Sequence, residues 1–362
     1  MRLGKWVGLL ALGVAIYLLW EIRQVLLLLF AAVVIATVLN RMVRVLRRGG
    51  IKRGFAIAIT IALLMLIVFG LFAIILPRFI DQLQNLSGLL PAAIERLGTI
   101  YDWFQSRIPG MALGENQGVD RLFDQAQALI SSTVGNFFTI LNSSINVVVN
   151  LFLVLAATIM LLVNPGSYRR TFITAFPAFY RDRVHDILNQ CEHSLVGWFQ
   201  GTLAGMVTIG TLSYIGLLIL GVPLPLVNAI LAGLLEIIPN IGPVISAVPP
   251  ILLGLLDAPW KGFAVLILYF LIQQFESLAL MPILMKQTVS LMPLFTLLSV
   301  VIFAALFGFL GLFLAVPLLI VVQIWLQEVL IKDVMDTWQA PSSPPHRDQV
   351  QPRSAGFNDS AP

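Results

Sequence analysis

The chain has 362 residues, 59% of them apolar and only 11% charged, with a net charge of +4 and a mean hydropathy of +0.94. Soluble domains carry about 25% charged residues, so this composition excludes a water-soluble fold. A single cysteine, Cys191, excludes an internal disulfide framework and any multi-cysteine metal site. The positive balance does not imply nucleic acid, because the basic residues lie beside apolar blocks, where they orient a membrane protein.

In chain order, Arg2 and Lys5 lead into an apolar run from Trp6 to Trp20, and a second run, Val25 to Leu39, follows after a four-residue link. The small-x-small triplets before Glu21, Ala11-Leu12-Gly13 and Gly13-Val14-Ala15, lie inside the apolar run and no cleavage site closes it, which argues against a signal peptide. The pattern predicts two short spans joined by a tight turn as an outward hairpin. Arg41, Arg44, Arg47, Arg48, Lys52 and Arg53 then place six positive charges in thirteen residues. Short loops rich in Lys and Arg stay cytoplasmic, which predicts cytoplasmic N- and C-termini in the inner or plasma membrane. A polybasic headgroup site is the alternative reading of these charges. Gly54 to Leu76 is a full-length third span, completing an N-terminal segment of residues 1–76.

Residues 77–144 change character. Charged residues interleave with Leu83, Leu86, Leu89, Leu90, Ile94, Leu97 and Tyr101 at three- and four-residue steps, the mark of amphipathic helices. Ile108 to Gly118 reads as a loop between them. By topology this is an extracytoplasmic helical insert. Ile145 to Val163 returns inward as a fourth span, and Arg169, Arg170, Arg181, Arg183 and His185 mark its landing. Residues 145–202 thus comprise that span and a cytoplasmic helical stretch, Phe172 to Ser194, punctuated by Pro177. The tryptophans Trp6, Trp20, Trp198, Trp260, Trp325 and Trp338 fall near span ends, as interfacial anchors do.

Residues 203–335 form the expected transport core. The charged residues between Leu203 and Ile331 are Glu236, Asp257, Lys261, Glu276, Lys286 and Glu328, and each is expensive in a bilayer. Four apolar elements follow one another: Leu203 to Leu220, Leu226 to Leu256, Gly262 to Leu280, and Leu294 to Gln327. A helix needs about 20 apolar residues to cross. The second and fourth elements exceed this and contain helix breakers, Ile238-Pro239-Asn240-Ile241-Gly242-Pro243 and Phe307-Gly308-Phe309-Leu310-Gly311. Such breaks leave backbone polar groups that are tolerated only where they face protein, ions or water. Two topologies fit: each broken element is one kinked span, or each is a re-entrant hairpin. Lys261 and Lys286 exchange sides between them. Residues 336–362, rich in Pro and Ser, have little to bury and are expected to be a disordered cytoplasmic tail. The expected fold class is an all-α polytopic membrane protein with about eight transmembrane elements, two of them broken or re-entrant.

Glu236, one turn before the Pro239 to Pro243 break, can coordinate a cation with freed carbonyls or carry a proton; snorkelling at a membrane face is the competing reading. Asn240 suits a polyol-like solute or an ion, or simply forms the turn. Gln273 and Glu276 share a helix face while Gln274 points aside, so the first two either line a cavity or bond neighbouring helices. Gly201 and Gly205, at GxxxG spacing, suit helix packing.

Leu235-Glu236-Ile237-Ile238-Pro239-Asn240-Ile241-Gly242-Pro243 resembles the Glu-x-x-Pro-x-x-Gly-Pro signature of the autoinducer-2 exporter family, also described as permease-like. Gln274, Glu276, Pro282, Lys286 and Pro293, then Phe307 through Gly308 and Gly311 to Pro317, resemble the rest of that family's C-terminal half. The resemblance covers roughly residues 1–335. It implies an eight-span, oligomeric inner-membrane transporter of a small polar solute or cation, with Glu236, Pro239, Asn240, Gly242, Pro243, Gln273, Gln274, Glu276, Gly308, Gly311 and Pro317 as candidate binding or gating residues. Some members are described as sodium/proton antiporters. A non-transporting scaffold and a passive channel remain rival readings. Enzymatic, cofactor and metal motifs such as HExxH and GxSxG are missing from the chain.

Overall fold

A computed structural model describes residues 3–70, 144–280 and 293–335, with a few isolated positions beside them. Nearly all of the insert expected at 77–144, Lys286 and the tail at 336–362 lie outside the described residues. The described chain is all α-helical. Its helices are α1 (Leu3–Glu21), α2 (Arg23–Arg48), α3 (Arg53–Gly70), α4 (Ser144–Val163), α5 (Pro165–Thr174), α6 (Arg181–Ile219), α7 (Pro225–Leu235), α8 (Ile241–Asp257), α9 (Pro259–Phe275) and α10 (Pro293–Trp325). Among the described residues five helices are long and apolar enough to cross a membrane, or six if a bent pair counts as one span.

Two expectations near the ends of helices need correction. The link at Glu21–Gln24 is not a reverse turn: Ile22 N donates to Leu18 O and Leu26 N to Ile22 O, both at 3.0 Å. The helical ladder therefore runs through Ile22, and α1 and α2 meet at a kink rather than as a hairpin. Likewise the basic stretch after Pro177 is no separate helix. It continues as α6, whose 39 residues extend about 58 Å at 1.5 Å per residue and outreach the hydrocarbon core at one end. Between them, α4 and α5 meet at 91°, so α5 turns across the axis of the span it follows, with Phe172 exposed.

One end of the molecule gathers the basic residues. Arg53 donates to Leu162 O at 3.2 Å, Arg44 pairs with Glu192 at 2.8 Å, and Arg169 bonds Asn189 at 2.7 Å. Arg183 bridges Glu328 at 2.8 Å and Asp333 at 3.1 Å. Beneath this basic end Val34 of α2, Ile187, Cys191, Leu195 and Trp198 of α6, and Val316, Ile320 and Ile324 of α10 form one core. Trp198 is only 6% exposed there, so it is a core residue and not the interfacial anchor its position suggested. Trp6, Trp20 and Trp260 do lie exposed at helix ends.

The other half of α6 carries α7, α8 and α9, and their directions follow from glycine contacts. A Cβ on Gly210 would lie 3.3 Å from Ala229 O, one on Gly233 2.6 Å from Met206 O, and one on Gly205 3.8 Å from Glu236 Cγ. Numbers rise along α7 as they fall along α6, so α7 runs back down α6. The α9 helix also runs antiparallel to α6: Lys261 Nζ donates to Gly221 O at 3.2 Å at one end, and Ile272 packs on Ile209 further along. The α8 helix is antiparallel to α9, with Gly254 against the backbone of Gly262 at 3.2 Å. Pro225 and Asp257, the two ends of the α7–α8 element, therefore both lie at the Gly221 end. The first broken element is a helical hairpin, which fits the re-entrant topology and not the kinked span.

The second broken element also turns back. Gly308 has φ 64° and ψ −143°, and a Cβ on Gly311 would collide with the carbonyl of Phe303. Eight residues of straight helix would separate those two by about 12 Å, so the chain reverses at Gly308. Its limbs are Leu294–Gly308 and Leu310–Asp333, of which the second is long enough to span alone.

Candidate transport site

The tip of the α7–α8 hairpin delivers Glu236 against Gly205 of α6, where the absent side chain leaves room for the carboxylate stem. Glu276, in the π-helical turn Glu276–Leu280 that ends α9, comes within hydrogen-bond reach of it. Gln273 Nε2 donates to Glu276 Oε2 at 2.8 Å. Glu236 is 8% exposed and Glu276 6%. Among the described residues neither glutamate forms a salt bridge, and Glu236 Oε2 has no hydrogen-bond partner. A buried carboxyl oxygen without a donor is expensive. Two adjacent carboxyl groups with no basic partner among the described residues either share a proton or draw positive charge or hydrogen-bond donors from a ligand. Burial also removes the snorkelling alternative for Glu236.

The turn that presents Glu236 is strained. Asn240 has φ 66° and ψ −38°, and Ile241 N donates to Pro239 O at 2.8 Å, which closes a γ-turn of the rare positive-φ type. Gly242 then packs onto the carbonyl of Leu235, where a Cβ would collide. The Asn240 side chain makes no cap bond and is exposed, so it reads as the turn-former. Asn240→Gly is expected to relieve strain of about 1 kcal/mol, leaving thermal stability equal or higher and transport intact. A large loss of flux in that variant would make Asn240 a ligand instead.

The remaining predicted residues sort by helix. Pro239 and Pro243 flank the γ-turn and shape the tip. Gln273 and Glu276 are brought together as their spacing predicted, and Gln274 faces away, exposed. Gly308, Gly311 and Pro317 belong to the second hairpin, where the neighbouring Leu314 and Val316 pack on α2 and the basic half of α6. They stand apart from the acid pair's contacts. Sequence reasoning passed over Asn228, fully buried with its amide donating to Pro223 O at 3.3 Å and Leu224 O at 3.2 Å. It holds the mouth of the hairpin, where Leu224 adopts a left-handed φ of 56°. Its signal was a lone Asn in an apolar run. Ser213 and Tyr269 were also passed over.

Residues 8–331 match the family described as AI-2E family transporter. YhhT of Escherichia coli K12, named only as a candidate transport protein, is 28% identical over 310 residues, 84% of each chain. YueF of Bacillus subtilis strain 168, named in the same way, is 26% identical over 279 residues, 73% of this chain and 74% of its own. The AI-2 transport protein TqsA of Escherichia coli K12 is 27% identical over 327 residues, 88% of this chain and 90% of its own. With nearly the whole chain inside the match, and with apolar helices long enough to cross a membrane, this protein belongs to the AI-2E family of membrane transporters.

Proposed function

We propose that the chain moves a small hydroxyl-bearing polar solute across the plasma membrane and binds it at the Glu236–Glu276 pair. The observation that carries this reading is the buried Glu236 oxygen, without a partner among the described residues, at the tip of the α7–α8 hairpin. Carboxylate oxygens accept strong hydrogen bonds from hydroxyl donors, and irregular backbone at membrane depth belongs to sites that face ligand or water. The basic end, with Arg41 to Arg53 and Arg169 to Arg183, faces the cytoplasm by the positive-inside rule. A relative named for AI-2 transport makes that solute the first to try.

The test is flux in proteoliposomes loaded with AI-2 or short polyols. Wild-type protein is expected to move at least one of them down its gradient, and Glu236→Gln to reduce that flux at least tenfold. Absence of flux for every solute in the wild type would overturn the reading. Undiminished flux in Glu236→Gln would remove the acid pair from it.

A further inference from the structure

We infer that the hydroxyls of Ser213 and Tyr269 form a second binding station on the same pathway, one apolar layer beyond the acid pair. This rests on the transport reading above and extends it to a residue pair outside the family-like motifs.

The α6–α9 seam is layered. Along α6 the positions are Gly205, Ile209, Ser213 and Leu217, with Gly221 in the turn just beyond its end, spaced by about 6 Å along the axis at four residues per helical step. Opposite them on α9 and its π-helical end stand Glu276, Ile272, Tyr269, Val265 and Lys261. The acid pair occupies the first layer. Ile209, Ala232 and Ile272 close the second. Ser213 and Tyr269 face each other in the third. Leu217, Val222 and Val265 close the fourth. Lys261, bonded to Gly221 O and paired with Asp257, caps the fifth. Polar and apolar layers alternate over about 24 Å, most of a hydrocarbon core.

The third layer is polar, and beyond their contact with each other its two hydroxyls are not satisfied among the described residues. Ser213 is 0% exposed, and neither its Oγ nor the Tyr269 OH has a hydrogen-bond partner of ordinary geometry among the described residues. A helical serine usually quiets its hydroxyl on the carbonyl four residues back. Thr208 and Thr211 do so, on Ala204 O at 2.8 Å and Val207 O at 2.7 Å, whereas Ser213 does not. Two buried hydroxyls left facing each other, each able to donate and accept, match a small solute rich in hydroxyls.

The packing also says which seam must part. Against α7, α6 lies backbone on backbone at Gly210 and Gly233, with no side chain to move aside. Against α9, Gly216 meets only the end of the Leu268 side chain. A rotamer change at Leu268 and Ile272 opens the route from the acid pair to the hydroxyl pair while the α6–α7 seam stays closed.

Cys191 is the one cysteine of the chain, which makes thiol accessibility a clean test. In a Cys191→Ala background, Ser213→Cys is expected to react within minutes with a small hydrophilic methanethiosulfonate in membranes, and saturating solute to slow the reaction severalfold. Ile320→Cys, in the dry core at the basic end, is the unreactive control. Tyr269→Phe keeps the ring and removes only the hydroxyl. It is expected to lower maximal flux at least fivefold with little change in apparent KM, because the acid pair still loads the solute. A Ser213→Cys thiol that stays unmodified, or a Tyr269→Phe protein that transports like wild type, overturns the station. Should the wild type carry no solute while Ser213→Cys is still modified, the transport reading fails and the hydrated station stands.

Discussion

Glu236→Gln and Glu276→Gln, made singly, are each expected to cut solute flux about 10- to 100-fold, and the double variant to be little worse than either. The lower figure corresponds to the 1.5 kcal/mol and the upper to nearly the 3 kcal/mol that a hydrogen bond to a charged group contributes. The non-additivity follows from contact. The two carboxyl groups lie within hydrogen-bond reach and are coupled, so removing either is expected to dismantle the proposed site. A glutamine at 236 also brings its own amide donors to Glu276, which satisfies internally what the native pair leaves open to a ligand. Stability is therefore expected to move the other way, with the Tm of Glu236→Gln a few degrees above wild type as the strain of a buried, unpartnered carboxyl is relieved. Flux and thermal unfolding on the same preparations check both signs. Full transport by Glu236→Gln, or additive losses in the double variant, would separate the two residues.

Gly242→Ala and Gly311→Ala are expected to be the most damaging changes to the fold. At each, the new Cβ meets a backbone carbonyl, of Leu235 and of Phe303 respectively. Backbone cannot rotate away as a side-chain end can, so the hairpin tip itself has to open. Overpacking of this kind costs about 3 kcal/mol or more, a large fraction of a typical domain's stability. Gly308→Ala provides the comparison. Its φ of 64° imposes backbone strain, but no atom lies within 4 Å of the would-be Cβ, so about 1–2 kcal/mol is expected. Yield in detergent and thermal unfolding should rank Gly308→Ala well above the other two. Equal loss at all three positions would mean that the strain at Gly308, which alone of the three has a positive φ, costs as much as the two close approaches.

The candidate site was partly legible in the chain. Glu236, Glu276 and Gln273 were visible because a charged or amide side chain in an apolar run is rare enough to demand a reason. The pairing of Gln273 with Glu276 follows from helical spacing alone. The pairing of Glu236 with Glu276 does not, since these residues are 40 positions apart and meet only because the α7–α8 hairpin and α9 reach the same level of α6. Asn240 was ambiguous because asparagine serves turns and ligands equally well. Its γ-turn, formed with Pro239 and Ile241, resolves it. Trp198 was misplaced because aromatic residues at span ends and in cores are indistinguishable until the length of α6 beyond the bilayer is known.

By itself the sequence determined that this protein lives in lipid, where its helices are interrupted, and which end is basic. Those properties are local: twenty apolar residues, a Pro-Asn-Ile-Gly-Pro break and a run of arginines act over a few turns of helix. Only the tertiary structure decided that the breaks are reversals rather than kinks, that the N-terminal link is a kink rather than a reversal, and that Ser213 faces Tyr269. In a bilayer the solvent is nearly as apolar as the helices, so hydrophobic pattern does not choose partners. Close glycine contacts and the register of antiparallel helices do, and they fix which of the few polar groups meet.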